Sequence, residues 1–117
     1  MDYKQFLFEH NGGKPSPNFV PIEKTDVHWI YGMHNGPDWA SVYNAINVFS
    51  NRIPSWYMPI ACDSGGNQFI MSLYPGNLGT IALWKHEEEA KDGNADQYFD
   101  NLVYIASSFT GFLKSLG

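Results

Sequence analysis

The sequence predicts an α+β domain, with a mostly antiparallel sheet of about five or six strands and helices packed on it. A strand, a tight turn and a second strand fill residues 58–73, near the middle of the chain. Apolar residues at helical spacing recur near the start, in the middle and at the end, and short β-branched and aromatic runs separate them. The 117 residues, 44% of them hydrophobic, suffice for one core, so we expect a single domain over 1–117.

The central hairpin is the clearest element. Its turn, residues 63–67 (Asp-Ser-Gly-Gly-Asn), consists of residues that tolerate positive φ or bond their own backbone. Pro59 has no amide hydrogen, so the first strand should lie at a sheet edge or carry a bulge, where a partner chain could approach. The turn could also be an anion nest or a metal loop around Asp63, but the flanking apolar runs favour a plain turn.

The segment before the hairpin predicts two helices and two short strands. Four residues at helical spacing predict an N-terminal helix that ends at Asn-Gly-Gly, residues 11–13: Tyr3, Phe6, Leu7 and His10. Residues 18–22 and 27–33 are predicted strands. A middle helix should begin after Asp38 as its N-cap and end before Pro54. Its apolar positions step by three or four: Trp39, Val42, Tyr43, Ile46 and Phe49.

After the hairpin, residues 80–85 and 102–105 are predicted strands, the first completing a three-stranded meander. Residues 90–100 are polar and are expected to form a mobile loop. Ser107 or Ser108 should cap a final helix. Four residues would lie on one side of that helix: Phe109, Phe112, Leu113 and Leu116.

The charge balance excludes some functions. The formal net charge of −5 argues against nucleic-acid binding, which needs clustered Lys and Arg, and fits a basic partner better. The sequence has neither an apolar run long enough for a membrane span nor a secretion signal, and its one cysteine cannot form an internal disulfide. We therefore expect a cytoplasmic protein that binds neither nucleic acid nor membranes.

Nothing in the sequence indicates an active site. It contains no nucleophile elbow, phosphate loop, His-Glu-x-x-His motif or paired cysteines, and Cys62 has no local base to activate it. His86 precedes the acidic run Glu87, Glu88 and Glu89, but neighbours on an extended chain point to opposite faces and cannot share one metal ion. We predict no catalytic residues, no metal site, no cofactor and no enzymatic activity.

The better signal is for protein binding. Four tryptophans are more than a core of this size needs, so some should be partly exposed as interface anchors. Together with the acidic run, they predict an acidic, aromatic surface that attracts a basic partner. The candidate partner-binding residues are Trp29, Trp39, Trp84, His86, Glu87, Glu88 and Glu89.

Three blocks of the sequence resemble a known family. Residues 59–67 (Pro-Ile-Ala-Cys-Asp-Ser-Gly-Gly-Asn) are similar to the central motif of the SMI1/KNR4 family, in the SUKH superfamily. Phe6-Leu7 with residues 11–13 matches near the start, and residues 105–109 with Phe112-Leu113 match near the end. The family usually has more helix before the first block, so this domain looks short at its N-terminus.

The resemblance implies a function without catalysis. Bacterial members of the superfamily are chiefly immunity proteins that bind and neutralise a polymorphic toxin, often a nuclease, whereas fungal relatives resemble regulators of cell-wall synthesis. It therefore implies an immunity protein whose partner is a basic toxin domain, with a protein-binding or peptide-binding regulator as the alternative. A small-molecule binding domain would instead need a closed apolar pocket. Either a monomer or a homodimer is compatible with the sequence.

Overall fold

The computed structural model describes residues 2–33, 38–50, 52–88 and 101–117. Its helices are α1 (Asp2–His10), α2 (Val42–Val48) and α3 (Phe109–Lys114). Its strands are β1 (Phe19–Val20), β2 (Thr25–Asp26), β3 (Trp29–Ile30), β4 (Tyr57–Cys62), β5 (Gln68–Ser72), β6 (Ile81–Trp84) and β7 (Leu102–Ala106). The predicted loop at residues 90–100 lies outside the described residues.

The strands form two antiparallel sheets, which confirms the predicted α+β class. The larger sheet has the order β3-β4-β5-β6-β7, and each strand pairs with the next one along the chain. The smaller sheet pairs β1 with β2. Strand β2 consists of polar residues between the two predicted strands, and the predicted strand at 27–33 is confined to Trp29–Ile30.

The central hairpin forms as predicted. Its first strand, β4, lies inside the sheet between β3 and β5, and the register shifts between Pro59 and Ala61. Of the two predicted alternatives for Pro59, the structure therefore contains the bulge. Because the bulge breaks the ladder locally, the missing amide hydrogen of Pro59 is accommodated inside a sheet.

Helices α1 and α3 cover one face of the larger sheet. Tyr3 of α1 packs on Phe109 of α3 with ring centroids 5.0 Å apart, and Phe112 of α3 packs on Phe69 of β5 at 5.1 Å. Gly12, two residues after the end of α1, has φ +87°, and a Cβ there would clash with the carbonyl oxygen of Ile30. Only glycine fits this position, because both the conformation and the close approach exclude a side chain.

The start of α2 differs from its prediction. Residues Asp38–Ala40 form a 3-10 turn, and Ser41 is the N-cap, with its hydroxyl accepting a hydrogen bond from the amide of Asn44. The predicted apolar stripe also divides, because α2 turns Val42 and Ala45 toward the sheet. Tyr43 and Ile46 are exposed instead.

The segment after β6 also departs from the sequence prediction. His86–Glu88 is a 3-10 turn, so these residues are not on an extended chain. Among the residues that the structure describes, no cluster of three or more His, Cys, Asp or Glu side chains could hold a metal ion. None of the helices in the described part of the chain has the length and apolar character needed to traverse a bilayer.

Candidate functional site

One row of residues crosses the larger sheet at the end that carries the hairpin turn. Directly paired residues of an antiparallel sheet point to the same face. The pairs therefore place one residue of each strand on the face that α2 partly covers: Trp29, Cys62, Gln68, Trp84 and Leu102. Two of the three predicted tryptophans thus share a face and a row, but their environments differ.

Trp84 is a core residue, which corrects its prediction as a partner-binding residue. It is 1% exposed, and Phe49 packs edge to face on its ring at 5.4 Å. The guanidinium carbon of Arg52 lies 4.8 Å from the Phe49 ring centroid and 5.6 Å from that of Trp84. The segment after α2 thus covers Trp84, so a partner cannot reach this side chain without moving that segment.

Trp29 and Trp39 form an aromatic pair at the surface. Their ring centroids are 5.1 Å apart and the rings meet edge to face, at an angle of 71°. Trp29 is half-buried on the edge strand β3, whereas Trp39, in the 3-10 turn before α2, is 54% exposed. His28 adds a third ring, 6.4 Å from Trp39. The edge-to-face contact restrains the orientation of the exposed Trp39 ring.

A groove of about 450 Å³ lies between α2 and the hairpin turn. We call it the α2 groove. Its lining residues come from β3 and its flanks, α2, and the hairpin: His28, Tyr31, Trp39, Asn44, Ala45, Val48, Phe49, Cys62, Asp63, Ser64, Gly66 and Gln68. Hydrogen bonds stabilise both flanking elements. The Ser41 hydroxyl caps α2, and the Asp63 carboxylate accepts from the amide of Asn67 across the turn.

Buried polar side chains lie beneath this groove. Tyr31 and Gln68 are 4% and 3% exposed, and the Tyr31 hydroxyl donates a hydrogen bond to the side-chain oxygen of Gln68. Burial raises the pKa of Tyr31 and also that of the half-buried Cys62 thiol, and nearby Asp63 raises the latter further. Both groups are therefore neutral near pH 7, and a protonated thiol is a poor nucleophile.

Two carboxylates, Asp63 within the hairpin turn and Asp26 of β2, form hydrogen bonds with turn residues. Asp63, 4% exposed, accepts hydrogen bonds from the amides of Gly65 and Asn67, from the Asn67 side chain and from the Thr25 hydroxyl, all at 2.8 to 2.9 Å. Asp26 accepts from the amide and hydroxyl of Ser64. Desolvation opposes ionisation of Asp26, but the Ser64 hydrogen bonds outweigh it and hold the pKa of Asp26 below its ordinary value.

The predicted residues after β6 lie on the other side of the same turn. The His86 amide donates to the side-chain oxygen of Asn67, and its Nε2 lies 2.8 Å from the carbonyl oxygen of Gly65, which only accepts. Glu87 is exposed beside a 340 Å³ depression shared with Lys85, whose ammonium pairs with Glu23 at 2.8 Å. Glu88 ends this 3-10 turn, and Glu89 lies outside the described residues.

The structure therefore gathers Trp29, Trp39, His86 and Glu87 around one turn. The sequence analysis did not identify the buried Tyr31 and Gln68 side chains beneath the α2 groove or the contact between Asp26 and Ser64. The sequence contains a signal for Gln68, which is the one amide side chain in the otherwise apolar start of β5. It contains no signal for the contact between Asp26 and Ser64, because these residues are 38 positions apart.

Sequence comparison gives a family match over nearly the whole chain. The model of the SMI1 / KNR4 family (SUKH-1) matches residues 1–115. The chain is 29% identical, over 136 residues, to the SPbeta prophage-derived uncharacterized protein YokK of Bacillus subtilis (strain 168). That match covers 98% of this chain, which spans 65% of the length of the relative. No solved structure matches the chain.

Proposed function

Because the chain belongs to the SMI1/KNR4 family (SUKH-1), we propose that it is an immunity protein that binds and neutralises a cognate toxin in the cytoplasm. The family includes immunity proteins and is generally a non-enzymatic binding domain. Occlusion of a toxin needs a complementary surface and no catalytic group. The expected partner is a basic protein domain, since the chain carries a net charge of −5.

The observation that carries this proposal is the Trp29 and Trp39 pair beside an acidic turn. An exposed tryptophan that is restrained by a neighbouring ring loses less conformational freedom when a partner packs on it, and such side chains are frequent interface hot spots. Asp26 and Glu87 flank the turn and would attract a positively charged surface. The interface would therefore be centred on Trp39.

The partner to test is the C-terminal domain of the protein encoded immediately beside the gene. Calorimetric titration at low and moderate salt should give a Kd in the nanomolar range or below, with weaker binding at higher salt. Absence of binding would rule out this partner, and weak binding to several unrelated proteins would favour a regulator instead.

Matched variants locate the interface. Trp39→Ala should weaken binding at least about 10-fold, because truncation of a hot-spot residue costs on the order of 2 kcal/mol. Phe8→Ala removes another exposed ring, which is 90% exposed on α1, and should leave Kd unchanged. Equal effects of the two variants would show that the interface is not at Trp39.

A further inference from the structure

We propose that the α2 groove receives an arginine side chain of the protein partner. The inference rests on the proposed function, since it specifies what the partner presents to this site. The groove is open at the surface, about 450 Å³ in volume, and has Trp39 on one side and the hairpin turn on the other. It is therefore of a size to admit one long side chain rather than a helix or a strand.

The charges around the groove favour a cation. Its lining contains Asp63 and no Lys or Arg, and Asp26 binds the lining residue Ser64. The donors to both carboxylates in the described part of the chain are neutral: amides, hydroxyls and one side-chain amide. Hydrogen bonds from neutral donors stabilise a carboxylate but leave its charge in place. Two carboxylates thus act on the groove, against at most one positive charge from the lining residue His28, and they disfavour phosphate or carboxylate ligands.

The shape and polarity of the lining favour arginine over lysine. A guanidinium stacks on an aromatic face and donates in several directions at once, whereas an ammonium is a compact and strongly hydrated charge. The groove offers the Trp39 ring, and its lining residues Tyr31 and Gly66 carry a hydroxyl oxygen and a carbonyl oxygen that can each accept a hydrogen bond besides their contacts with Gln68. A stacked guanidinium could use both kinds of contact.

The protein already contains one contact of this kind. Arg52 packs over Phe49 and Trp84 on the same face of the sheet, and Phe49 also lines the α2 groove. A guanidinium is therefore accommodated against aromatic rings next to the proposed site. The proposed contact would repeat this arrangement on Trp39, with the arginine supplied by the partner.

The test is a titration of the protein, labelled with ¹⁵N, with three peptides, followed by NMR. The peptides are acetyl-Gly-Arg-Arg-Gly-amide, its Lys-Lys counterpart and its Glu-Glu counterpart. The arginine peptide should give saturable shifts of the Trp39 indole and the Ser64 amide, the lysine peptide should bind about 2- to 5-fold more weakly, and the glutamate peptide should give no shifts at these groups.

Three variants separate the contributions. Trp39→Leu removes the aromatic face but keeps an apolar side chain, and Asp26→Asn removes the charge but keeps an acceptor for Ser64. Each variant should bind the arginine peptide about 2- to 5-fold more weakly than the wild type does. Glu9→Gln removes one charge from α1, which packs on the other face of the sheet, and should have no effect.

Absence of saturable shifts at Trp39 and Ser64, or the same affinity for Trp39→Leu as for wild type, would overturn the inference. Failure of the two proposals is distinguishable. Nanomolar binding of the toxin domain without NMR shifts from the arginine peptide would support the immunity function and reject the arginine site. Shifts from the arginine peptide without binding of the toxin domain would support the arginine site and reject the tested protein as the partner.

Discussion

The hydroxyl of Thr25 donates a hydrogen bond of 2.9 Å to the carboxylate of Asp63, 38 positions further along the chain. The next residue, Asp26, accepts two hydrogen bonds from Ser64. Strand β2 of the small sheet is thereby fastened to the hairpin turn of the large one. Since that turn forms one side of the α2 groove, the geometry of the groove depends on these contacts.

Loss of the Asp63 carboxylate should destabilise the fold. Asp63→Ala removes the acceptor of hydrogen bonds from Thr25, Gly65 and Asn67, and an unsatisfied buried donor costs about 1–3 kcal/mol. Urea denaturation should show a decrease of at least this size in the free energy of unfolding. Glu87→Gln, at an exposed carboxylate beside the same turn, should change it by less than about 0.5 kcal/mol. Similar values for the two variants would contradict a structural role for Asp63.

The lowered pKa of Asp26 predicts how stability depends on pH. Because the folded-state pKa lies below the unfolded value of about 3.9, the contribution is present above that value and is lost as pH falls through the folded pKa. NMR titration of the Asp26 carboxyl carbon should give a midpoint below 3.9. Ser64→Ala removes one of the two hydrogen bonds and should raise this midpoint, and an unchanged midpoint would refute the assigned cause.

Trp84 and Trp39 should respond differently to truncation. Trp84→Ala should lower the free energy of unfolding by about 3–5 kcal/mol, because it leaves a cavity under Phe49 and Arg52. Trp39→Ala loses mainly its edge contact with Trp29 and should cost about 1 kcal/mol. Thermal and urea unfolding of both variants would measure the difference, and equal losses would contradict the burial of Trp84.

The cap of α3 can be assigned to one of two adjacent serines. The Ser108 hydroxyl accepts a hydrogen bond of 3.0 Å from the amide of Gly111, whereas Ser107 is exposed and precedes the cap. Ser108→Ala should therefore lower the free energy of unfolding by about 1 kcal/mol, and Ser107→Ala by less than about 0.5 kcal/mol. A larger effect at Ser107 in urea denaturation would show that the cap is misassigned.

Local patterns predicted the elements better than their ends. The hairpin and the last helix formed as predicted, because alternation, turn residues and helical spacing act over a few neighbouring residues. The predicted start of α2 at Asp38 was wrong. Asp38 and Ser41 are both residue types that cap helices, and the bridge between Gly32 and Ser41 is a long-range contact that favours Ser41 and is not visible in the local sequence. The bulge at Pro59 was one of two predicted alternatives, and the pairing of β3 with β4 decided between them.

The candidate site was predicted in part. Trp39 was expected to be exposed and is, whereas Trp84 was expected to be exposed and is buried. Both are tryptophans, so composition does not distinguish them. Phe49 and Arg52, from a segment more than 30 positions away, cover Trp84 and leave Trp39 uncovered.

The fold class, the central hairpin and the apolar faces of α1 and α3 follow from the sequence, because these features depend on periodicity and turn chemistry along the chain. The row from Trp29 to Leu102, the contact of Asp26 with Ser64 and the α2 groove arise from tertiary packing. Those features depend on strand register and on which distant segments pack together. Register is fixed by the sum of many contacts across the sheet, and no short stretch of sequence contains that sum.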